Sequence, residues 1–184
     1  MHEHMVLKVL CLVAMVTTAS FALGATKSID GRVVRVIDGN TVTIVDARKQ
    51  SHQVRLAGID APVNGQPYAT QAREALATLI LNHDVHVLWK RRDHRKQIVG
   101  WVSVPVPATP DCSAPCERDA GLFLVQAGLA WHDEVSERQQ PTVPRLLYAR
   151  EEIKAFDARL GLWADKNAVP PWDWRKAHPS GSTK

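Results

Sequence analysis

Between Gly31 and Ala57 the chain carries three β-patterned runs separated only by stretches short enough to be turns. Gly31 to Ile37 is dense in valine, Thr41 to Val45 alternates, and Gln53 to Ala57 alternates again. Asp38-Gly39-Asn40 divides the first pair and the polar stretch Ala47 to Ser51 divides the second. β-Branched side chains suit a pleated, half-buried surface, whereas Asp, Gly and Asn suit turns. Strands this close in sequence pair with their neighbours, so an antiparallel meander is predicted.

The remaining chain is built around that meander. After Pro67, the residues Ala69, Ala72, Leu76, Leu79 and Ile80 recur at helical spacing, and Asn82 is the predicted stop. Val85, Val87 and Trp89 alternate in a fourth strand, Lys90 to Gln97 is a basic turn, and Ile98 to Val104 is a fifth strand. Pro105 to Glu117 is Pro-rich and predicted as a loop. Asp119 is placed to cap a short helix to Gln126, ended by Gly128. A last helix starts near Pro144, with Leu146, Ala149, Ile153, Phe156 and Leu160 as its apolar face and Gly161 as terminator. A tail rich in Trp and Pro follows. The predicted class is α+β, mainly β: a five-stranded OB-fold Greek-key barrel with about three helices, an architecture that binds oligonucleotides or oligosaccharides on one face.

At 184 residues, one domain with a real core is expected. Lys8 precedes an apolar run, Val9 to Leu23, followed by the small-residue motifs Ser20-Phe21-Ala22 and Ala22-Leu23-Gly24. Residues 1–25 are therefore predicted to be a secretory signal peptide, with an uncleaved anchor as the other reading. The folded domain is expected over 26–176, with a disordered tail over 177–184. Export to the periplasm or medium is the expectation, with no membrane attachment after cleavage. Cleavage would remove Cys11 and leave Cys112 and Cys116, an even pair in an oxidising compartment. A disulfide closing a small loop is predicted, with a metal pair as the alternative. The formal charge stays at +4, since one Lys and one acid leave together. A mildly basic exported domain is compatible with a polyanionic partner.

Two motifs carry the chemistry. Val36-Ile37-Asp38-Gly39-Asn40-Thr41-Val42 is a strand, turn and strand. Val54-Arg55-Leu56-Ala57-Gly58-Ile59-Asp60-Ala61-Pro62-Val63 places an Arg and an Asp at a strand end, where they can hold a phosphate beside a cation. Further along stand Gln66-Pro67-Tyr68, Asp93, Leu124-Val125, Gly128-Leu129-Ala130-Trp131, Gly161-Leu162-Trp163 and Pro170-Pro171-Trp172-Asp173-Trp174-Arg175. In order and spacing these resemble the staphylococcal nuclease (thermonuclease-like) family, and the tail is similar to the endings of its exported bacterial members. The resemblance implies calcium-dependent hydrolysis of phosphodiesters in DNA and RNA. A hard cation on carboxylates polarises the phosphate, two arginines hold the phosphoryl oxygens, and a glutamate serves as base.

Taken residue by residue, the resemblance puts the metal carboxylates at Asn40 and Asp60 and a backbone metal ligand at Thr41. It puts the first phosphate arginine at Arg55, the base at Val63 and the second arginine at Gln97. Three of these five functional side chains are thus replaced: Asn40, Val63 and Gln97. Losing a general base costs about 10²–10⁴ in rate. Losing a transition-state arginine costs about 10³–10⁵ in phosphoryl transfer. Arg95 or Lys96 is a possible stand-in for the arginine; Asn64 is no base and Glu74 lies too far along the helix. Lys90, Arg91, Arg92, Arg95 and Lys96 form the densest basic run, either a phosphate-tracking patch or a solvated hairpin turn. His132-Asp133-Glu134 is taken as a polar loop, and the tryptophans Trp163, Trp172 and Trp174 as tail packing. The expectation is a monomeric, weak or inactive relative that binds DNA or RNA, with calcium implied at a depleted site. The alternatives are an active metal-dependent nuclease and a module for a protein partner on the Cys112–Cys116 loop.

Overall fold

The computed structural model describes residues 26–110, 112, 115–133 and 142–179. The segment read as a signal peptide, and Ser180–Lys184 of the tail, lie outside them. Among the described residues no helix is long and apolar enough to cross a membrane.

The meander forms as its sequence dictates. β1 (Lys27–Asp38), β2 (Thr41–Asp46) and β3 (Ser51–Leu56) pair antiparallel in succession. β1 is long because it serves two neighbours. Its first half pairs with β5 (Asp84–Arg92) and its second half with β2, with register shifts between Val33 and Arg35 and between Val36 and Asp38. Such irregularities bend a strand, and bending lets a sheet curl on itself. β5 pairs with β6 (Ile98–Val106), and β6 returns to β3 in parallel through Val54↔Ile98, Arg55↔Val99 and Leu56↔Gly100. These pairings close β1, β2, β3, β5 and β6 into a barrel.

Inside lie Val33, Val42, Ile44, Val54, Leu56, Val87 and Ile98, each at most 2% exposed. Fully burying such a side chain stabilises by about 1.5–3 kcal/mol before entropy is counted. α1 (Ala69–Ile80) packs Ala72, Leu76 and Ile80 onto this core, and Asn82, with φ 64°, ends the run. α2 (Ala120–Gln126) starts on the Asp119 cap, whose carboxylate accepts from the Leu122 N–H at 2.9 Å. Gly128, with φ 65°, turns the chain away behind it.

Four expectations are corrected. Cys116–Asp119 is a strand, β7, on the outer edge of β6, although the Pro-rich stretch was expected to be loop throughout. Pro105, which has no N–H to give a ladder, sits in β6 beyond its last pairing with β5 at Ser103 and opposite Glu117 of β7. The disulfide Cys112–Cys116 is present and ties the first residue of β7 back to Cys112. The tail also carries a helix that was not expected, α4 (Pro171–Ala177), which makes four α-helices among the described residues where about three were expected. Ala177 ends that helix and His178 stacks on Trp174.

Third, α3 (Thr142–Asp157) does not bury its predicted face. Leu146, Ile153 and Phe156 are about 60% exposed, and Tyr148, Glu151 and Ala155 are buried instead. Hydrogen bonds decide the orientation. The Tyr148 hydroxyl donates to Asp119 at 2.7 Å beneath Gly121, and the Glu152 carboxylate accepts the His132 N–H at 2.9 Å. Fourth, His132 is buried in β8 (Trp131–His132), and Asp133 behind it is buried too. β8 pairs with β4 (Ile59–Asp60), so His132 stands in a short ribbon rather than a polar loop, and Glu134 lies outside the described residues. Trp163 packs edge-on against Trp131 and Phe156, the packing role expected of it.

Candidate functional site

Both sequence motifs open onto one cleft of about 390 Å³ at the barrel mouth. The β2–β3 register sets Thr41 opposite Arg55, which places both on one wall. The turn between β1 and β2 is tied by the Asp38 carboxylate, which accepts the Asn40 N–H at 2.9 Å. Gly39 lets that turn sit down on its neighbours. A Cβ there would come within 2.7 Å of the Ala61 Cβ and 2.8 Å of the Ala72 Cβ. The close approach brings Asn40 alongside Asp60, two residues held by different elements.

Asp60, 4% exposed, is the centre of the cleft. Its Oδ1 accepts from Asn40 Nδ2 at 3.4 Å and from Arg175 Nη1 at 3.3 Å, and lies 3.6 Å from Arg55 Nη2. Its Oδ2 accepts from Arg175 Nη2 at 2.5 Å. The Asp60 hydrogen bonds, with the charges of Asp60 and Asp133, raise the Arg175 guanidinium above its already high value.

Arg175 is the residue that sequence reasoning missed. It was noted only as part of the tail, yet α4 delivers it to the cleft. Signals for α4 were present: Pro170-Pro171 at a helix start, Asp173 in the first turn and Lys176 in the last. No local signal could have named Asp60, 115 residues away, as its partner. The tail is held by buried Pro171 and by Trp174, which lines a small cavity with Tyr68, Trp131 and Leu162. Gln66 clasps it: Gln66 Nε2 donates to the Val169 carbonyl at 2.6 Å while Gln66 Oε1 accepts the Val63 N–H at 3.1 Å.

Val63 and Gln97 also line the cleft. Gln97 Nε2 donates to Gln53 Oε1 at 2.9 Å, so its amide is held to the β3 wall. The turn that carries it is tied by Asp93, whose Oδ1 accepts the Arg95 and Gln97 N–H groups, both at 2.9 Å. Of the basic run, Arg95 lines the cleft, together with His94. Lys90, Arg91, Arg92 and Lys96 do not. Arg92 instead donates to the Lys96 carbonyl at 2.8 Å and lies over the Trp89 ring, work internal to the hairpin. Lys90 lines a separate depression beside Trp101 and Glu117. Glu74 is exposed on α1 and lies outside the cleft lining.

A calcium ion takes six to eight oxygen ligands. Here both Asp60 oxygens already meet guanidinium groups, and Asn40 turns an N–H donor toward Asp60. Asp38 and Asp93 cap their own turns. Among the described residues no three His, Cys, Asp or Glu side chains are grouped to hold a metal. The donor set as folded does not fit a hard divalent cation. It suits an anion, which the exposed sides of Arg55 and Arg175 can meet.

The family model described as "Staphylococcal nuclease homologue" matches residues 53–165, a span that contains Arg55, Asp60, Val63 and Gln97. The chain is 33% identical over 147 residues to a protein named micrococcal nuclease from Shigella flexneri, covering 80% of each. It is 36% identical over 147 residues to an uncharacterized endonuclease of Escherichia coli, covering 80% of this chain and 85% of that one. Protein ParB of Escherichia coli is 34% identical over 148 residues, with 79% and 78% covered.

Proposed function

From its membership in the staphylococcal nuclease family, to which this chain belongs, we propose that the protein is an exported nucleic-acid-binding relative with little or no nuclease activity. The family is generally calcium-dependent and its members cleave nucleic acid. One observation carries the reading for this chain. At the cleft centre Asp60 faces two guanidinium groups, while Val63 and Gln97 stand where the resemblance puts a base and an arginine. Arg55 and Arg175 supply charge-assisted donors for a phosphodiester. Valine cannot take a proton from water, and the Gln97 amide is bonded to Gln53.

The cleft of an OB barrel suits a single strand, whose backbone is tracked by cations along one face. The signal-like N-terminus and the disulfide Cys112–Cys116 support an oxidising, extracytoplasmic setting.

A second reading is favoured by one feature. His94 lines the cleft, and an imidazole nitrogen there can accept a proton from water. In this reading the protein is a slow metal-dependent nuclease with His94 in the base role. One assay separates the two. The mature domain is incubated with single-stranded DNA and with RNA, in calcium, in manganese and in EDTA, beside Asp60→Ala and His94→Ala. The expected result is no cleavage above the Asp60→Ala control, with salt-sensitive binding retained. Metal-dependent turnover lost in both variants would establish the second reading. Turnover lost only in Asp60→Ala would equally overturn the first.

A further inference from the structure

We infer that Arg175, carried on α4, is the built-in cation of the cleft, and that with Arg55 it binds the phosphodiester of a nucleic acid without a divalent metal. This rests on the nucleic-acid reading above and specifies its chemistry. Asp60 is a buried carboxylate, and a buried charge must be matched. Asn40 offers it only a neutral dipole at 3.4 Å, and Arg55 stands off at 3.6 Å. Arg175 meets both oxygens with both terminal nitrogens, the fork geometry that suits a carboxylate. Two guanidinium groups meet this one carboxylate, while across the cleft lining Arg55, Arg95 and Arg175 are balanced by Asp38, Asp60 and Asp93, so the centre offers a ligand spare guanidinium N–H donors rather than a net charge.

Both cations keep a face to solvent. The Arg175 side chain is 47% exposed and that of Arg55 28%. A guanidinium has five N–H donors, and Asp60 uses only part of the Arg175 set. Arg175 is also preorganised, because Trp174, Pro171 and the Gln66 clasp dock its helix before any ligand arrives. Gln66 ties the same helix to Val63 in the cleft turn, so the tail and the cleft wall are one unit. Arg175 thereby adds to Arg55 and Arg95 a third arginine in a cleft where Gln97 supplies none. It also holds the carboxylate that a divalent ion would need.

The test is fluorescence anisotropy with a labelled DNA single strand of about 10 nucleotides, within the site size of one OB barrel. Salt is held constant and the mature domain is used. Wild-type binding is expected to be the same in EDTA and in millimolar calcium. Arg175→Gln should weaken it by about 10- to 100-fold, the range for hydrogen bonds to a charged group, and lower the salt slope by about one. Arg175→Lys, which keeps the charge but not the fork, should fall between. It decides the question if Arg175→Gln proves unfolded by circular dichroism. Arg32→Gln, a control on β1 outside the cleft, should change affinity by less than about twofold.

Binding by the wild type only with calcium overturns this inference while the nucleic-acid reading stands. Binding in neither condition overturns both. Unchanged affinity in both Arg175 variants, or an equal loss in Arg32→Gln, also overturns it.

Discussion

Two carboxylates, Asp60 buried in the cleft and Asp119 half-buried under α3, are satisfied in opposite ways. Asp119 accepts from the Tyr148 hydroxyl at 2.7 Å and the Leu122 N–H at 2.9 Å, both neutral donors. Burial raises its carboxyl above the ordinary value, although those bonds pull the other way. Burial, with the Asp119 charge, also pushes the Tyr148 phenol well above its usual value. Asp60 is instead gripped by a guanidinium fork with a second guanidinium beside it. The contrast separates a clasp from a site. Neutral donors can hold two helices together but leave the carboxylate's own charge unpaired, whereas guanidinium groups pair that charge and still present N–H donors to a ligand.

The largest expected effect comes from turning the Asp60 region toward the catalytic set that the family resemblance implies. The triple variant Asn40→Asp, Val63→Glu, Gln97→Arg adds a carboxylate, a base and an arginine at cleft positions. A base alone is worth about 10²–10⁴. The terms do not multiply, because such residues act as a unit. A gain of at least about 10²-fold in calcium-dependent cleavage of single-stranded DNA is expected, measured under single-turnover conditions. A folded triple variant with no gain, also when Arg175→Gln frees Asp60 for the ion, would mean that the cleft is not an intact nuclease cleft. The contrast with Asp119 would then lose its functional side.

A smaller effect comes from breaking the clasp. Tyr148→Phe removes the hydroxyl and leaves the half-buried Asp119 with one bond fewer. A buried acceptor left without its partner costs about 1–3 kcal/mol. Urea unfolding should show that loss, while oligonucleotide binding at the Asp60 cleft stays unchanged. A matching loss of binding would show that the two regions are coupled rather than distinct.

How far the chain could be read follows the same division. Strand period and turn residues named the barrel, because Val33, Val42, Ile44, Val54 and Leu56 have one place to go. The α1 face, the Asn82 stop and the Asp119 cap were legible for the same local reasons. The resemblance groups Asn40, Thr41, Arg55, Asp60, Val63 and Gln97, and all six line one cleft. What stayed hidden depends on partners distant in the chain. On α3, the set Tyr148, Glu151 and Ala155 has the same helical spacing as the apolar set, and the choice lay with Asp119 and His132 on other elements. β7 is four residues beside a Pro-rich turn, legible only once β6 offers an edge. Arg175 is an ordinary tail arginine until Asp60 is placed next to it.

The smallest effect sharpens the comparison through pH. Because the folded state raises the Asp119 carboxyl, folding favours its protonated form. Its contribution is fully present below the unfolded value, near 3.8, and is lost as pH rises through the raised folded value. At neutral pH the ionised Asp119 is therefore a net cost that its neutral donors only partly offset. Asparagine keeps an oxygen for Leu122 and Tyr148 and carries no charge. Asp119→Asn is expected to be neutral or stabilising by up to about 1 kcal/mol at pH 7, and to flatten the stability curve above pH 3.8. Unfolding midpoints from pH 3 to 7 would check this at the ~0.5 kcal/mol level. A loss of several kcal/mol at pH 7 would mean that the Asp119 charge itself is compensated. The distinction between its neutral clasp and the cation-ringed Asp60 would then fail.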